Sequence, residues 1–288
     1  MKTCISTYSY AQLARKQNFT RVDAIDYTKK LGADGVELVI QDIPEGYTFA
    51  TYVKALCEHA KKVGLEVPIL TMGAEFYTRD PEEEVKRLME QVDVASECGI
   101  PLMRHDIAEK FSGDEAVKSP KTIIDAVAPY IRRLAEYAET KGVKTCSENH
   151  GKIMQDPDRI DALLYAVNHR NYGYLCDMGN FAGADEQCEV AVSKLLPHVC
   201  YVHAKDGFKK NGMCYNPGRG WKLSRGGYYR RATIFGHGDV PTFQILKALK
   251  AWGYDGWVSI EFEGMEDNLM ALDIGFENLT RMIKDLEQ

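Results

Sequence analysis

Short runs of β-branched and other apolar residues alternate along the chain with longer stretches whose apolar positions recur at helical spacing. The short runs predict strands over Thr3–Thr7, Gly35–Val39, Val67–Thr71, Leu102–His105, Val143–Glu148, Gly173–Asp177, Val199–His203 and Trp257–Glu261. Helix starts between them are marked by a capping side chain ahead of proline at Asp80-Pro81, Ser119-Pro120 and Asp156-Pro157, with a looser version at Asp239-Val240-Pro241. Gly64, Gly99, Gly142 and Gly253 fall where helices should stop, as left-handed caps. Strands separated by helices are βα units, and their crossovers force parallel pairing under a helical coat.

Strand ends taken at Glu37, Thr71, His105, Glu148, Asp177, His203 and Glu261 lie 34, 34, 43, 29, 26 and 58 residues apart. A repeat of about 30 residues accounts for all but the last interval, on the pattern of a (β/α)8, or TIM, barrel. The expected fold is therefore α/β: a single TIM-barrel domain over residues 1–288. The surplus chain forms a long insertion, residues 204–235, in the loop after strand seven. An open doubly wound sheet is the alternative, but no G-x-G-x-x-G follows the first strand.

Composition narrows the function classes. With 45% apolar and 27% charged residues the chain matches globular averages, which excludes disordered and collagen-like scaffolds. Thirty-six basic residues against 42 acidic ones give a net charge of −6, opposed to a surface that holds nucleic acid by counterion release. No window approaches the roughly 18 consecutive apolar residues of a membrane span, and the opening MKTCISTYSYAQLARKQ has no apolar run of signal-peptide length. Eight scattered cysteines without a C-x-x-C pair read as reduced core residues. The expectation is a cytoplasmic protein with neither a membrane nor a nucleic-acid partner.

Ionisable residues close several of the apolar strands. Glu148 ends VKTCSE, Asp177 ends YGYLCD, His203 ends VCYVH and Glu261 ends WVSIE, with Glu37, Arg104, His105 and His150 as neighbouring candidates. In a barrel whose strands are buried on both faces, such groups are costly unless they face the open mouth. Singly, each could be a salt-bridged barrel layer or a cap. Jointly, three carboxylates and an imidazole would repel unless a cation sat among them, and this donor set suits Mn2+, Mg2+, Co2+ or Zn2+.

The strings SENHG (147–151), CDMGN (176–180), YVHAKD (201–206), FGHGDV (235–240) and GWVSIEFEG (256–264), with GADGVEL (32–38) near the second strand, resemble the xylose-isomerase-like TIM-barrel superfamily of sugar and sugar-phosphate isomerases and epimerases. The resemblance covers essentially the whole chain and lies in the order and spacing of the strings. It implies that Glu148, Asp177, His203 and Glu261 ligate one divalent metal, and that Glu148 and Glu261 are the catalytic acid/base pair. It also implies that Arg231, five residues before Gly236, contacts substrate. Lys205, His150, His105 and Glu37 are further candidates for substrate contact, with Glu37 alternatively anchoring a buried arginine such as Arg104, and His105 and His150 alternatively core imidazoles. Glu263, on the same side of an extended strand as Glu261, competes for its ligand role.

Two departures loosen the sugar assignment. Asn180 stands where many members have the histidine of D-x-x-H, and the G-E-G-D turn appears as Gly236-His237-Gly238-Asp239. The implied activity is isomerisation or epimerisation of a free or phosphorylated ketose, by removal of the proton next to the carbonyl through a metal-stabilised enediolate. A dehydratase or lyase acting on a keto-sugar or keto-glycoside starts from the same proton abstraction, and an inactive sugar-binding barrel is the non-enzymatic alternative. An apurinic endonuclease on this barrel needs a histidine-rich trinuclear zinc site, which seven histidines serve poorly. A homo-oligomer is expected from the resemblance alone.

The insertion carries its own signal. From Lys205 to Arg231 eight basic residues face a single acid, Asp206, with Tyr215, Trp221, Tyr228 and Tyr229 interleaved. It reads either as a lid that attracts an anionic or heavily hydroxylated substrate, or as a solvated or subunit-contacting loop.

Overall fold

The computed structural model describes residues 1–287. Seven strands come first: β1 (Lys2–Ser6), β2 (Gly35–Val39), β3 (Leu70–Met72), β4 (Leu102–His105), β5 (Lys144–Glu148), β6 (Tyr172–Asp177) and β7 (Val199–Ala204). After an insertion holding β8 (Asp206–Lys210), β9 (Lys222–Leu223) and β10 (Tyr229–Thr233), β11 (Trp257–Ile260) completes the set. β1 pairs in parallel with both β2 and β11, so the eight-stranded parallel sheet closes into a barrel and the doubly wound alternative falls away. Helices α1 (Ala11–Gln17) to α9 (Asn268–Asp285) coat it, among them α4 (Pro81–Glu97) and α5 (Pro120–Thr140), the latter the longest of the set. Among the described residues no helix is long and apolar enough to cross a membrane.

Side chains alternate across each strand, and in the barrel that alternation decides what reaches the interior. Ile69, Leu102, Cys146, Leu175 and Tyr201 form a separate apolar cluster inside the barrel. Two residues further along their strands come Thr71, Arg104, Glu148, Asp177 and His203. The polar layer is therefore the next storey up from an apolar plug, at the carboxyl ends of the strands. Residues of the opposite parity, such as Val36, Leu38, Met103 and Val202, join the main core under the helices.

The capping signals act at two of three sites. Asp80 accepts from Glu82 N at 2.9 Å and Ser119 accepts from Lys121 N at 3.3 Å at the starts of α4 and α5. Asp156 makes no capping bond at the start of α6 (Pro157–Val167). Its carboxylate instead pairs with Arg159 Nε and Arg225 Nη1, both at 2.9 Å, because the insertion folds back and presents Arg225 to it. Gly64 and Gly253 cap α3 (Phe49–Val63) and α8 (Thr242–Trp252) in the left-handed conformation, and Gly99 and Gly142 take the same conformation just beyond the caps of α4 and α5.

The insertion is a three-stranded antiparallel sheet in the order β8–β10–β9. Besides the Arg225–Asp156 pair it is tied to the barrel by Asp185, which accepts from Gly226 N, and by Asp206. The Asp206 carboxylate collects four backbone N–H groups, from Gly207, Gly236, Gly238 and Val240, at 2.7–3.2 Å. The F-G-H-G-D-V segment thus winds around the only acid of the basic stretch. A Cβ on Gly238 would fall 2.6 Å from Gly207 O, so glycine is required there by close approach.

Losing the Asp80 cap should cost about 1 kcal/mol, read as a lower urea midpoint for Asp80→Ala. Asp156→Ala should instead loosen the insertion, seen as faster proteolysis between residues 211 and 227. Unchanged protease resistance would show that the Arg225 pairing holds nothing in place.

Candidate metal and catalytic centre

One ligand atom from each of Glu148, Asp177, His203 and Glu261 lies within 4.8 Å of every other, at the carboxyl ends of β5, β6, β7 and just beyond β11. The first three residues are buried and Glu261 is half-buried. Each is held by its neighbours. Asp177 Oδ1 accepts from Gly179 N at 2.8 Å and Asn180 N at 2.9 Å, turning the chain sharply after β6. Gly179 is needed at that turn because a Cβ would come within 2.9 Å of Lys205 O. Asn149, fully buried, links the ends of β5 and β6: it donates to Asp177 O at 3.0 Å and accepts from Asp177 N at 2.9 Å and the Tyr174 hydroxyl at 2.8 Å.

His203 Nε2 lies 2.9 and 3.1 Å from the two carboxylate oxygens of Glu37. Donation from Nε2–H to Glu37 leaves Nδ1 to face the cluster, where it has no hydrogen-bond partner. Asp177 Oδ2 is likewise buried without one. Two orphaned donor atoms of complementary type, an imidazole nitrogen and a carboxylate oxygen, thus meet two further carboxylates, and this set fits a divalent ion.

The charges around the cluster are asymmetric. Glu148 Oε2 is 2.6 Å from Arg104, and its Oε1 accepts from Asn180 Nδ2 at 3.0 Å. Burial alone would raise the Glu148 carboxyl, but Arg104 and then His203 outweigh it and hold the group well below the usual carboxylate range. Asp177 has only the more distant Lys205, and burial pushes it up to about 7, with Lys205 opposing and Glu148 and Glu261 adding to the rise. Burial disfavours the charged form of His203, yet Glu37 and Glu261 raise its pKa well above the ordinary value. Lys205 reaches Glu261 Oε2 at 2.6 Å, Glu263 at 3.2 Å and Asp177 Oδ2 at 3.4 Å.

Above the cluster opens a cavity of about 830 Å3, lined among others by Tyr8, Arg104, Asp106, His150, Lys205, Glu261 and Glu263. That volume suits a small polyol. His150 stands half in solvent on its wall, with Nδ1 2.9 Å from Asp106, which also pairs with Arg104 at 2.8 Å. Of the expected substrate contacts, Lys205 and His150 are the two that line this cavity.

Three expected substrate contacts are placed elsewhere. Glu37 lies under the cluster, fully buried, its oxygens taken by His203, Thr71 at 2.7 Å and Ser259 at 2.9 Å, so it orients the histidine and neither meets substrate nor anchors Arg104. His105 has the outward parity: fully buried, it bonds the Asp106 carbonyl at 2.8 Å and packs edge-on against Phe76. Burial lowers its pKa to about 4, so it is a neutral core imidazole. Arg231 pairs with Glu266 at 3.3 Å, lies over Phe208 and Trp221, and lines an adjoining pocket under the insertion instead of the main cavity. Glu263 sits on the rim with Lys205, not among the four clustered donors. Asp106, which pairs with Arg104 and His150, and Asn149, which bonds the Asp177 backbone, are contacts of the cluster that the reading of strand ends passed over. The inward parity of Arg104 was the available signal for the Glu148–Arg104–Asp106–His150 chain.

A family model described as xylose isomerase-like TIM barrel matches residues 25–283. An inosose dehydratase of Yersinia enterocolitica is 29% identical over 148 residues, 48% of this chain and 47% of that protein. The chain thus spans about half the length of the first curated relatives it matches. An inosose dehydratase of Clostridium perfringens is 23% identical over 236 residues, 76% of each chain. Among solved structures, the IolI protein with a bound zinc atom superposes with a TM-score of 0.74 at 16% identity over 99% of both chains, a likeness of fold.

A raised carboxyl pKa means that the folded chain binds the proton more tightly than the unfolded one. The contribution of Asp177 to stability is then present below about pH 4 and lost as pH climbs through about 7. Chelator-treated protein should lose urea resistance over that interval, and Asp177→Asn should flatten the loss. A wild type and variant with parallel pH profiles would contradict the assignment.

Proposed function

This chain belongs to the xylose isomerase-like TIM-barrel family, and we propose that it is a divalent-metal-dependent dehydratase of a keto-polyol. The observation that carries the reaction type is the 2.6 Å contact between Lys205 Nζ and Glu261 Oε2 on the cavity floor, set against a Glu148 whose oxygens are both engaged. Glu148, Asp177, His203 and Glu261 would hold the ion, which when bound polarises the substrate carbonyl and makes the neighbouring C–H more acidic.

The protein's own groups supply the proton transfers. Glu261 turns Oε1 toward the cluster, 3.8 Å from His203 Nδ1, and Oε2 toward the cavity. Its carboxylate takes the proton from the carbon next to the carbonyl. The freed electron pair becomes a C=C bond as the bond to the β-hydroxyl breaks. The Lys205 ammonium, held charged by Asp177 and Glu261 despite its burial, protonates the departing hydroxyl, which leaves as water. The Glu261 acid then returns its proton to the Lys205 amine across their contact, and both groups are reset.

Epimerisation asks instead for a second carboxylate that returns a proton to the opposite face of the sugar. Glu148 is the candidate for that role, but Arg104 depresses its proton affinity and Asn180 takes its other oxygen. The similarity to inosose dehydratases supports the same choice. Isomerisation or epimerisation of a ketose is the second reading.

Metal-loaded protein should convert an inosose or a ketohexose to a product lighter by one water, with the absorbance of a conjugated or diketone product. Glu261→Gln and Lys205→Met should each lower kcat by about 100-fold or more. Solvent deuterium appearing at an inverted carbon with no water lost would replace the dehydratase with the epimerase.

A further inference from the structure

The insertion sheet stacks like charges. In the antiparallel register of β8, β10 and β9, Arg230 stands opposite Lys209 on one side and Lys222 on the other. Cross-strand partners project from the same face, and like charges placed directly opposite one another destabilise a sheet. Of the other cations of the sheet and its turns, Arg225 pairs with Asp156, Arg231 with Glu266 and Lys210 lies over Trp221, while Arg219 is exposed on the loop between β8 and β9. Within the row, Lys209 is offset by Asp185 at 3.6 Å and by the Tyr228 ring. Neither Arg230 nor Lys222 forms an ion pair among the described residues, and Arg230 Nε is buried with no hydrogen-bond partner.

The row opens toward the reaction centre. Lys209, Arg230 and Lys222 all line a pocket of about 280 Å3 under the insertion that shares Lys205 and Glu263 with the main cavity. Arg230 and Lys222, without Lys209, also line a cavity of about 520 Å3 that shares Tyr8, His150, Lys205 and Glu263 with it. An acidic protein has thus gathered a row of positive charge, offset only in part by Asp185 and Glu263, at one end of its substrate space, where low-dielectric walls strengthen its pull on an anion. A guanidinium flanked by two ammonium groups matches the several oxygens of a phosphate or carboxylate.

We propose that the row Lys209–Arg230–Lys222 holds the anionic end of the substrate, a phosphate or carboxylate group on the keto-polyol, remote from the carbon that Glu261 deprotonates. This rests on the reading of the main cavity as a keto-polyol site and names the charge class of its ligand.

Calorimetric titration of the metal-loaded protein with D-fructose, D-fructose 6-phosphate and D-fructuronate reads the row without turnover. At least one anion should bind about tenfold or more tighter than fructose. Arg230→Gln and Lys222→Gln should each shrink that margin, and added salt should weaken it. Lys222 is exposed, so its variant tests the row even if Arg230→Gln folds poorly. Whichever anion keeps the margin identifies phosphate or carboxylate as the group recognised. Equal affinities for all three sugars, no binding of either anion, or a margin untouched by both substitutions would overturn the proposal. A margin that depends on the row in a protein that dehydrates nothing keeps this assignment and retires the dehydratase; dehydration with equal affinities does the reverse.

Discussion

Three carboxylates and an imidazole crowd into one space at the mouth of the barrel, and the need to balance their charge organises the residues around them. Coulomb repulsion between such groups is strong where water is excluded. Arg104 answers for Glu148 and Lys205 for Glu261, while Asp177 Oδ2 and His203 Nδ1 are left without hydrogen-bond partners. Two fixed cations stand outside the cluster and orphaned donors point into it, which is the arrangement that a divalent ion completes. Glu37, Thr71 and Ser259 below fix the histidine, and Asn149 and Asn180 fix the carboxylates.

The same asymmetry gives the site its chemical character. A carboxylate clamped by arginine makes a good anchor and a poor proton donor, whereas one touching an ammonium can take a proton and hand it back. In the proposed dehydration, that difference between Glu148 and Glu261 turns a symmetric pair of glutamates into an anchor and a base, with Lys205 as the acid. The insertion adds positive charge on the far side of the same space, so the cavity runs from the donor cluster to the cation row.

Barrel architecture was legible in the chain because βα spacing and proline-marked helix starts are local signals. Glu148, Asp177, His203 and Glu261 stood out for the same reason, as charges ending apolar runs, and the structure brings the four together. Parity was the part passed over. Counting two residues up from the apolar cluster sends Arg104 inward and its neighbour His105 outward, a distinction that position at a strand end does not make. Glu37 has the right parity but sits beneath its histidine. The partners of Asp156 and Arg231 lie far away in sequence, at Arg225 and Glu266, and pairings across such distances leave no local trace.

Binding of Mn2+ to chelator-stripped protein, followed by equilibrium dialysis with paramagnetic resonance of the free ion, tests the central claim most directly. One ion per chain is predicted for the wild type, with that site lost in both His203→Ala and Asp177→Ala. A wild type that binds no ion, or variants that retain the full stoichiometry and affinity, would contradict it.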